Sequence, residues 1–227
     1  IIYASLTGYG EENPRPAFDM ILQAESGFMS MTGEADGPPC KIPVAIIDVL
    51  AAHHLKEAIL CAMIKHQKDR VACEINISLY EAALASLVNQ ATNYLMAGHT
   101  PGRMGSQHPN IAPYGDSFQT FDGKYLILGI GTDKQFESLK ELLNLPPDKF
   151  DKNTQRLKSR AELCRLIQLE VAKHELSYWV NEFKKYDIPF SPVYTVPEAL
   201  ETDQARECLI ECDIEGHKTI RPRTALI

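Results

Sequence analysis

The alternation of apolar and polar positions predicts a chain of helices interrupted by short strands. In the first part, apolar or small residues recur every three or four positions after Asp48, which is one face of an α-helix. Residues 74–79 instead alternate with period two, as a half-buried strand does. The predicted elements are a strand over 1–6, a helix from Phe18 that Gly27 stops or bends, a helix from Asp48 to about Gln67, a strand over 74–79 and one long helix over 81–96 with Gly98 as its C-cap.

The second part has the pattern of a small α+β unit. Asp122-Gly123 lies between two apolar runs and predicts the turn of a β-hairpin. Thr132 and Asp133 are typical of a helix start. The predicted elements are strands over 116–121 and 124–130, a helix from Thr132 to Leu143, mostly helix over 160–185 with Trp179 and Phe183 on one face, an extended segment over 188–193 and one helix over 198–210.

A segment rich in glycine and proline separates the two parts. We therefore predict an α/β protein with residues 1–98 in a large domain, 99–115 as a connecting loop, 116–200 as a small α+β domain and 201–227 returning towards the large domain. The chain opens without methionine inside an apolar strand and stops in an apolar run, so we expect it to be a fragment of a longer protein.

Charge and composition exclude several classes of function. The net charge of −7 provides no basic surface for nucleic acid, and no apolar run reaches the roughly 20 residues that span a bilayer. The six cysteines are scattered without paired motifs, which favours a reducing compartment: the cytoplasm, or the mitochondrial matrix in a eukaryote. Cys208 and Cys212 lie four apart on a predicted helix, but no second ligand pair accompanies them, and we predict no metal site.

Asp48 is the first candidate for chemistry. It follows a loop with Gly37 and three prolines, so regular structure should not begin before about Val44. Asp48 would then lie at or near the N-cap of its helix, where backbone N–H groups and the helix dipole keep a carboxylate ionised. The pattern alone favours a capping role over a catalytic one, because aspartate is among the commonest N-cap residues.

A series of short motifs along the chain favours a catalytic role for Asp48 over a capping role. The motifs are Ser5-Leu6-Thr7-Gly8-Tyr9-Gly10, Ala17-Phe18-Asp19, Gln23-Ala24-Glu25-Ser26-Gly27, Asp36-Gly37-Pro38-Pro39, Ile47-Asp48-Val49, Ile77-Ser78-Leu79-Tyr80-Glu81-Ala82, Asn93-Tyr94-Leu95, Arg103-Met104-Gly105, His108-Pro109-Asn110, Pro113-Tyr114, Asp122-Gly123-Lys124, Ile188-Pro189 and Pro192-Val193. Together they resemble the class III (CaiB/BaiF-type, formyl-CoA transferase-like) CoA-transferases over nearly the whole chain.

The resemblance implies a fold, a partner and a set of site residues. It implies part of a Rossmann-like large domain plus a small α+β domain, in an interlocked homodimer whose N-terminal and C-terminal family segments lie outside this chain. Asp48 matches the family's nucleophile. Arg15, Pro16, Ala17 and Phe18 match a loop near the CoA, and Gly105 and His108 are candidates for substrate binding. The substrates implied are an acyl-CoA and a small carboxylic acid, with no permanently bound cofactor.

The sequence leaves three functions open. A carboxylate nucleophile suits CoA transfer, because its attack on a thioester forms a mixed anhydride that the released thiolate can reopen. A racemase or isomerase of the same fold would need a second acid–base group, and the family's racemases carry a histidine where this chain has Phe18, which favours transfer. A catalytically silent paralogue is the third alternative. It is suggested by Ala52, where the family has glycine, and by residues 69–73, which lack the family's glycine-rich turn.

Overall fold

The computed structural model of the protein describes residues 1–223 and divides the chain into two compact units. The units are Ile1–Ser106 and Gln107–Ile227. Their boundary falls inside the predicted connecting loop 99–115. Residues 201–223 group with the second unit by their contacts, and the proposed return of 201–227 towards a large domain stays a prediction.

The first unit combines two strands with five helices. Its elements are β1 (Ile2–Thr7), α1 (Asp19–Glu25), α2 (Phe28–Met31), α3 (Ile46–Asp69), β2 (Cys73–Ser78), α4 (Leu79–Ala85) and α5 (Val88–Ala97). Strands β1 and β2 pair in parallel, with Ile2 opposite Cys73 and Thr7 opposite Ser78. A parallel pair needs a crossover connection, and α1, α2 and α3 supply it. A small apolar cluster of Leu22, Ile47 and Ala83 joins α1, α3 and α4.

The second unit builds its core on a three-stranded antiparallel sheet. Its elements are β3 (Tyr114–Gln119), β4 (Tyr125–Gly129), α6 (Asp133–Leu142), α7 (Asn153–Lys158), α8 (Arg160–Val171), α9 (Leu176–Lys185), β5 (Phe190–Pro192), α10 (Val196–Glu201), α11 (Asp203–Cys208), β6 (Leu209–Ile214) and β7 (His217–Pro222). The sheet order is β3-β4-β5, and the apolar sides of α6, α8 and α9 contribute to one large buried cluster with it.

Most predicted elements of the second unit are confirmed. The hairpin turns at Asp122-Gly123, and Thr132 caps α6 in a reciprocal capping box with Gln135. Trp179 and Phe183 are both buried on α9, with ring centroids 5.2 Å apart.

The single helix predicted over 81–96 is wrong, because the chain breaks between α4 and α5. Ser86 ends α4, and its hydroxyl donates to the Ala82 carbonyl oxygen at 2.7 Å, a bond that competes with the regular helix ladder. Val88 then takes a φ of +41°, a rare conformation for a β-branched residue. Gly98 does act as the left-handed C-cap of α5.

The single helix predicted over 198–210 is also wrong. Thr202 adopts an extended conformation, and its hydroxyl accepts the N–H of Ala205, so it separates α10 from α11. Strands β6 and β7 follow as a hairpin whose two turn residues, Glu215 and Gly216, both have positive φ. Of the two cysteines Cys208 and Cys212, Cys208 therefore lies on a helix and Cys212 on a strand.

Candidate active site

The candidate site of the first unit begins where β1 ends. A Cβ atom on Gly8 would lie only 2.4 Å from the Cβ atom of Ala17, so glycine is needed for the loop that contains Ala17 to approach the strand. The Gly8 carbonyl oxygen accepts the N–H of Tyr80 at 3.1 Å. Ala17 itself packs against the cluster of Leu22, Ile47 and Ala83. The predicted loop 15–18 is thus fixed at Ala17 to the end of the strand.

We expect Gly8→Ala to destabilise the protein by about 1–3 kcal/mol, the usual cost of an overpacked methyl group. Ala17→Gly removes the opposing methyl group, so the double variant Gly8→Ala/Ala17→Gly should recover most of the loss. Urea unfolding of the four proteins gives the coupling energy between the two positions. Additive effects would contradict the close approach.

Arg15 in the same loop already has partners. Its Nη2 donates to the Tyr9 hydroxyl and to Oε2 of Glu25, and its guanidinium lies 4.0 Å from the centroid of the Tyr9 ring. The hydrogen bonds to Glu25 and Tyr9 raise the pKa of Arg15, and those from Tyr9 and Arg15 lower the pKa of Glu25. Among the described residues nothing accepts from Nε or Nη1 of Arg15, and the side chain is half exposed. The N–H groups of Nε and Nη1 therefore remain available to an anion.

Phe18 and Asp19 connect the loop to the helix of Asp48. Phe18 is the N-cap residue of α1, where its backbone is extended, and its side chain is 62% exposed. Oδ1 of Asp19 accepts the backbone N–H of Ile47 at 2.8 Å. This contact of Asp19 with α3 carries no local sequence signal, because 28 residues separate the two partners.

Asp48 lies in the first turn of α3, just after the N-cap residue Ala45, which agrees with the predicted position at or near the N-cap. The helix begins at Ile46 with Ala45 as N-cap residue, earlier than the predicted start at Asp48, and Asp19 accepts the Ile47 N–H of its first turn. The side chain is exposed and accepts no hydrogen bond from the described residues. Partial burial of the carboxyl group and, after it, the nearby charge of Asp19 raise the pKa of Asp48 above its usual value.

Gly105 and His108 fall on opposite sides of the unit boundary. Gly105 has a φ of +59°, and its N–H donates to the carbonyl oxygen of Gly33 at 2.9 Å. A Cβ there would lie 2.8 Å from Oε2 of Glu34, so Gly105 is closely packed beside that carboxylate. Its N–H could serve an oxyanion only if the bond to Gly33 opened. The roles of Gly105 and His108 in substrate binding stay predictions.

His108 belongs to the second unit and is held by backbone contacts. Its N–H donates to the carbonyl oxygen of Tyr114 at 3.1 Å, and its ring meets the Tyr114 ring edge to face. Nη2 of Arg160 donates to the His108 carbonyl oxygen at 2.8 Å. Arg160 and the buried Arg156 lie in none of the motifs, so the sequence does not indicate their hydrogen bonds to distant backbone oxygens.

Neither a metal centre nor a membrane span emerges from the part of the chain that the structure describes. Within residues 1–223, no three histidine, cysteine, aspartate or glutamate side chains are grouped as metal ligands would be. No helix in the same range is both long and apolar enough to cross a bilayer.

The sequence of the chain matches a known protein family. The family model described as "CoA-transferase family III" matches residues 1–224. The chain belongs to CoA-transferase family III. The mixed α/β fold of this family member also matches the crystal structure of a CAIB/BAIF family protein from Brucella suis, with a TM-score of 0.81 and 33% identity over 96% of this chain and 59% of that one. The predicted family and fold class are therefore confirmed.

Relatives of this family III chain are named as CoA-transferases. It is 33% identical to the succinate–glutarate CoA-transferase of Agrobacterium fabrum, which it matches over its full length and over 59% of that protein. It is 30% identical to the human succinyl-CoA:glutarate CoA-transferase, covering 97% of this chain and 51% of that one. The chain thus spans about half to three fifths of the length of these relatives. These relatives thus carry in their names the activity that the sequence predicts, the transfer of CoA.

Proposed function

We propose that the protein is an acyl-CoA:carboxylate CoA-transferase with Asp48 as its nucleophile. The observation that carries the proposal is an exposed carboxylate without a hydrogen-bond partner among the described residues, in the first turn of α3, in a chain of family III. A purely capping aspartate would accept a backbone N–H, and Asp48 accepts none. The helix N-terminus provides a positive field for the charge that develops at this position.

Small dicarboxylic acids are the substrate class that we favour. Relatives of this chain are named for transfer between succinate and glutarate and between acetyl-CoA and oxalate. Each of the acids succinate, glutarate and oxalate carries a second carboxylate, which a cationic group could hold. Succinyl-CoA as donor and glutarate as acceptor are therefore the first pair to test.

The proposed mechanism exchanges acyl groups through Asp48. The carboxylate attacks the thioester carbonyl carbon, the C–S bond breaks, and CoA leaves as thiolate from a mixed anhydride. The thiolate attacks the aspartyl carbonyl carbon of that anhydride, which releases the donor acid and leaves an aspartyl-CoA thioester. The acceptor carboxylate then attacks the carbonyl carbon of this thioester, the C–S bond breaks, and the thiolate leaves a second mixed anhydride between Asp48 and the acceptor. The thiolate finally attacks the acceptor acyl carbon, which gives the new acyl-CoA and releases Asp48 as a carboxylate.

Loop 15–18 is the proposed contact with CoA. Arg15 offers Nε and Nη1 to a phosphate while Nη2 stays with Glu25 and Tyr9, so the pairing would hold the guanidinium in one orientation. Pro16 is exposed and Ala17 is anchored against Gly8. Such an anchored loop is suited to a bulky ligand, because little conformational entropy is lost when the ligand binds.

Isotope exchange tests the proposal. The protein expressed from its complete reading frame, called the complete protein below, is incubated with unlabelled succinyl-CoA and labelled glutarate. We expect the label to enter the CoA ester. Loss of the α-proton without label exchange would indicate a racemase, and the absence of both reactions would indicate a silent paralogue; either result overturns the proposal.

Phe18→Ala should raise acyl-CoA hydrolysis relative to transfer. The proposed role of the exposed ring is to exclude water from the mixed anhydride, which water would otherwise hydrolyse. Because the ring lies outside the buried clusters, the free energy of unfolding should change by less than about 1 kcal/mol. Both rates are measured on one preparation, with Phe121→Ala as the matched control for an exposed phenylalanine. An unchanged ratio would exclude this role.

Asp19→Asn should move the acid limb of the transfer rate to lower pH. Only ionised Asp48 is a nucleophile, so the rate falls as pH falls through the pKa of Asp48, which burial and the charge of Asp19 raise. Removing that charge lowers the pKa and extends activity to more acidic conditions. The pH dependence of kcat in both proteins checks this shift, and Asp36→Asn serves as an exposed control.

A homodimer also stays a proposal. The resemblance implies it, and α5 carries no charged residue over its ten positions. On that helix Tyr94, Leu95 and Met96 are mostly exposed in the described chain. An uncharged and largely apolar helix surface is more typical of an interface than of a solvated face.

A further inference from the structure

Gln23 is a buried polar side chain to which the proposed mechanism gives no role. It lies on α1 and is 0% exposed, whereas glutamine side chains are mostly found at protein surfaces. A buried carboxamide is costly unless both of its ends are hydrogen-bonded. The arrangement of its partners therefore indicates what Gln23 does.

Both ends of the carboxamide bind the segment that leads into α3. Oε1 accepts the N–H of Ile42 at 2.8 Å, and Nε2 lies 3.4 Å from the carbonyl oxygens of Ile42 and of Val44. Pro43 between them has no N–H to donate. One side chain thus serves a segment in which three backbone groups would otherwise lack these partners.

The same amide nitrogen connects this segment to Asp19. Nε2 donates to Oδ2 of Asp19 at 2.6 Å, and Oδ1 of Asp19 accepts the N–H of Ile47. Asp19 and Gln23 are four residues apart and share one face of α1. That face therefore holds both the segment that precedes α3 and the N–H of Ile47 in its first turn, immediately before Asp48.

We infer that Gln23 is a positioning residue for the Asp48 nucleophile. By fixing the segment Ile42–Val44 and orienting Asp19, it sets the place at which α3 begins and so the position of the Asp48 carboxylate. The inference rests on the proposed function. A displacement of about 1 Å at a reacting group can lower a rate about 100-fold, so a side chain that does not itself react can control turnover.

The first test replaces the carboxamide with an apolar group of similar size. In the complete protein we expect Gln23→Leu to lower kcat for succinyl-CoA and glutarate about 100-fold, with KM within about threefold, because the nucleophile is misplaced while the loop near CoA stays. Ser26→Ala is the matched control: Ser26 is also buried on the C-terminal side of α1, but its hydroxyl donates only to the carbonyl oxygen of Leu22. The control should leave kcat within about twofold.

The second test uses Gln23→Glu and its pH profile. A protonated carboxyl group can still donate to Asp19 and accept from Ile42, but an ionised one would face the carboxylate of Asp19 and two carbonyl oxygens. The other charged groups nearby are Lys41, whose Nζ lies 3.4 Å from the carbonyl oxygen of Pro43, and Asp48. The ratio of Gln23→Glu turnover to wild-type turnover at the same pH should be highest at acidic pH and should fall as pH rises. For Gln23→Leu this ratio should not recover at acidic pH.

Hydrogen exchange separates this inference from the proposed function. Amide protection over residues 42–47 should fall in Gln23→Leu and persist in Ser26→Ala, whether or not the wild type transfers CoA. Lost protection together with lower kcat supports the positioning role. The role is overturned if protection in Gln23→Leu is unchanged. It is also overturned if protection is lost but kcat stays normal and Gln23→Glu shows no pH-dependent recovery. An inactive wild type would overturn the proposed function and the catalytic part of this inference, while protection would still report whether Gln23 holds the segment.

Discussion

Asp48→Ala should abolish CoA exchange between succinyl-CoA and glutarate, lowering the rate by about 10⁴-fold or more, as the loss of a covalent nucleophile does. Asp48→Asn should behave in the same way, because the amide cannot form the anhydride. Folding should be retained, since the carboxylate accepts no hydrogen bond from the described residues and a charge in a first helical turn contributes only about 0.3–1 kcal/mol.

The measurement combines exchange rates with chemical trapping. The wild type is incubated with acyl-CoA and then with hydroxylamine, and mass spectrometry should locate a hydroxamate on Asp48. Asp69→Asn, at the other end of α3, is the matched control and should keep full activity. An active Asp48→Ala variant, or a hydroxamate on another residue, would remove Asp48 from the mechanism.

The largest expected effect on stability belongs to Arg156 in the second unit. The side chain is 1% exposed and donates to the carbonyl oxygens of Ala112, Phe150 and Asp151 and to Oδ1 of Asp133. Arg156→Met leaves these acceptors without their donor, so the free energy of unfolding should fall by about 3–5 kcal/mol. Arg156→Lys should recover only part of it, because one ammonium group cannot reach the same set of oxygens.

Denaturant unfolding checks this expectation, with exposed Arg165→Met as a control that should change stability by no more than about 0.5 kcal/mol. The acid dependence offers a second readout. The hydrogen bond from Arg156 is the main cause that lowers the pKa of Asp133, so this contribution is present above the unfolded pKa and is lost as pH falls through the folded one. In Arg156→Met that dependence should shrink. A loss of stability equal to that of the Arg165 control would refute the structural role.

The sequence predicted what depends on neighbouring residues. The hairpin at Asp122-Gly123, the helix start at Thr132 and the shared helix face of Trp179 and Phe183 are local patterns, and each appears where expected. The motif order also identified the family, which the match over residues 1–224 confirms. These features need only the chemistry of adjacent positions.

The predictions were wrong or incomplete where distant contacts or a single side-chain hydrogen bond determine where a helix begins or breaks. The break at Ser86 depends on one hydroxyl competing with the helix ladder, and alanine-rich neighbours hide it from any periodicity. The start of α3 at Ile46 depends on Asp19, 28 residues before the N–H that it accepts. Gln23 begins the motif that runs to Gly27, but nothing in this motif indicates that the Gln23 carboxamide is buried against Ile42 and Val44.

The parallel pairing of β1 with β2 has a consequence for the order of folding. Ser5 bonds to Asn76, 71 residues away, so the strands can meet only after a long intervening segment has been closed. Helices α1 and α3 form from local contacts and can precede that step, whereas the hydrogen bond from the Tyr80 N–H to the Gly8 carbonyl oxygen forms only when the two strands meet. Chains newly released from the ribosome should therefore form α1 and α3 before β1 pairs with β2.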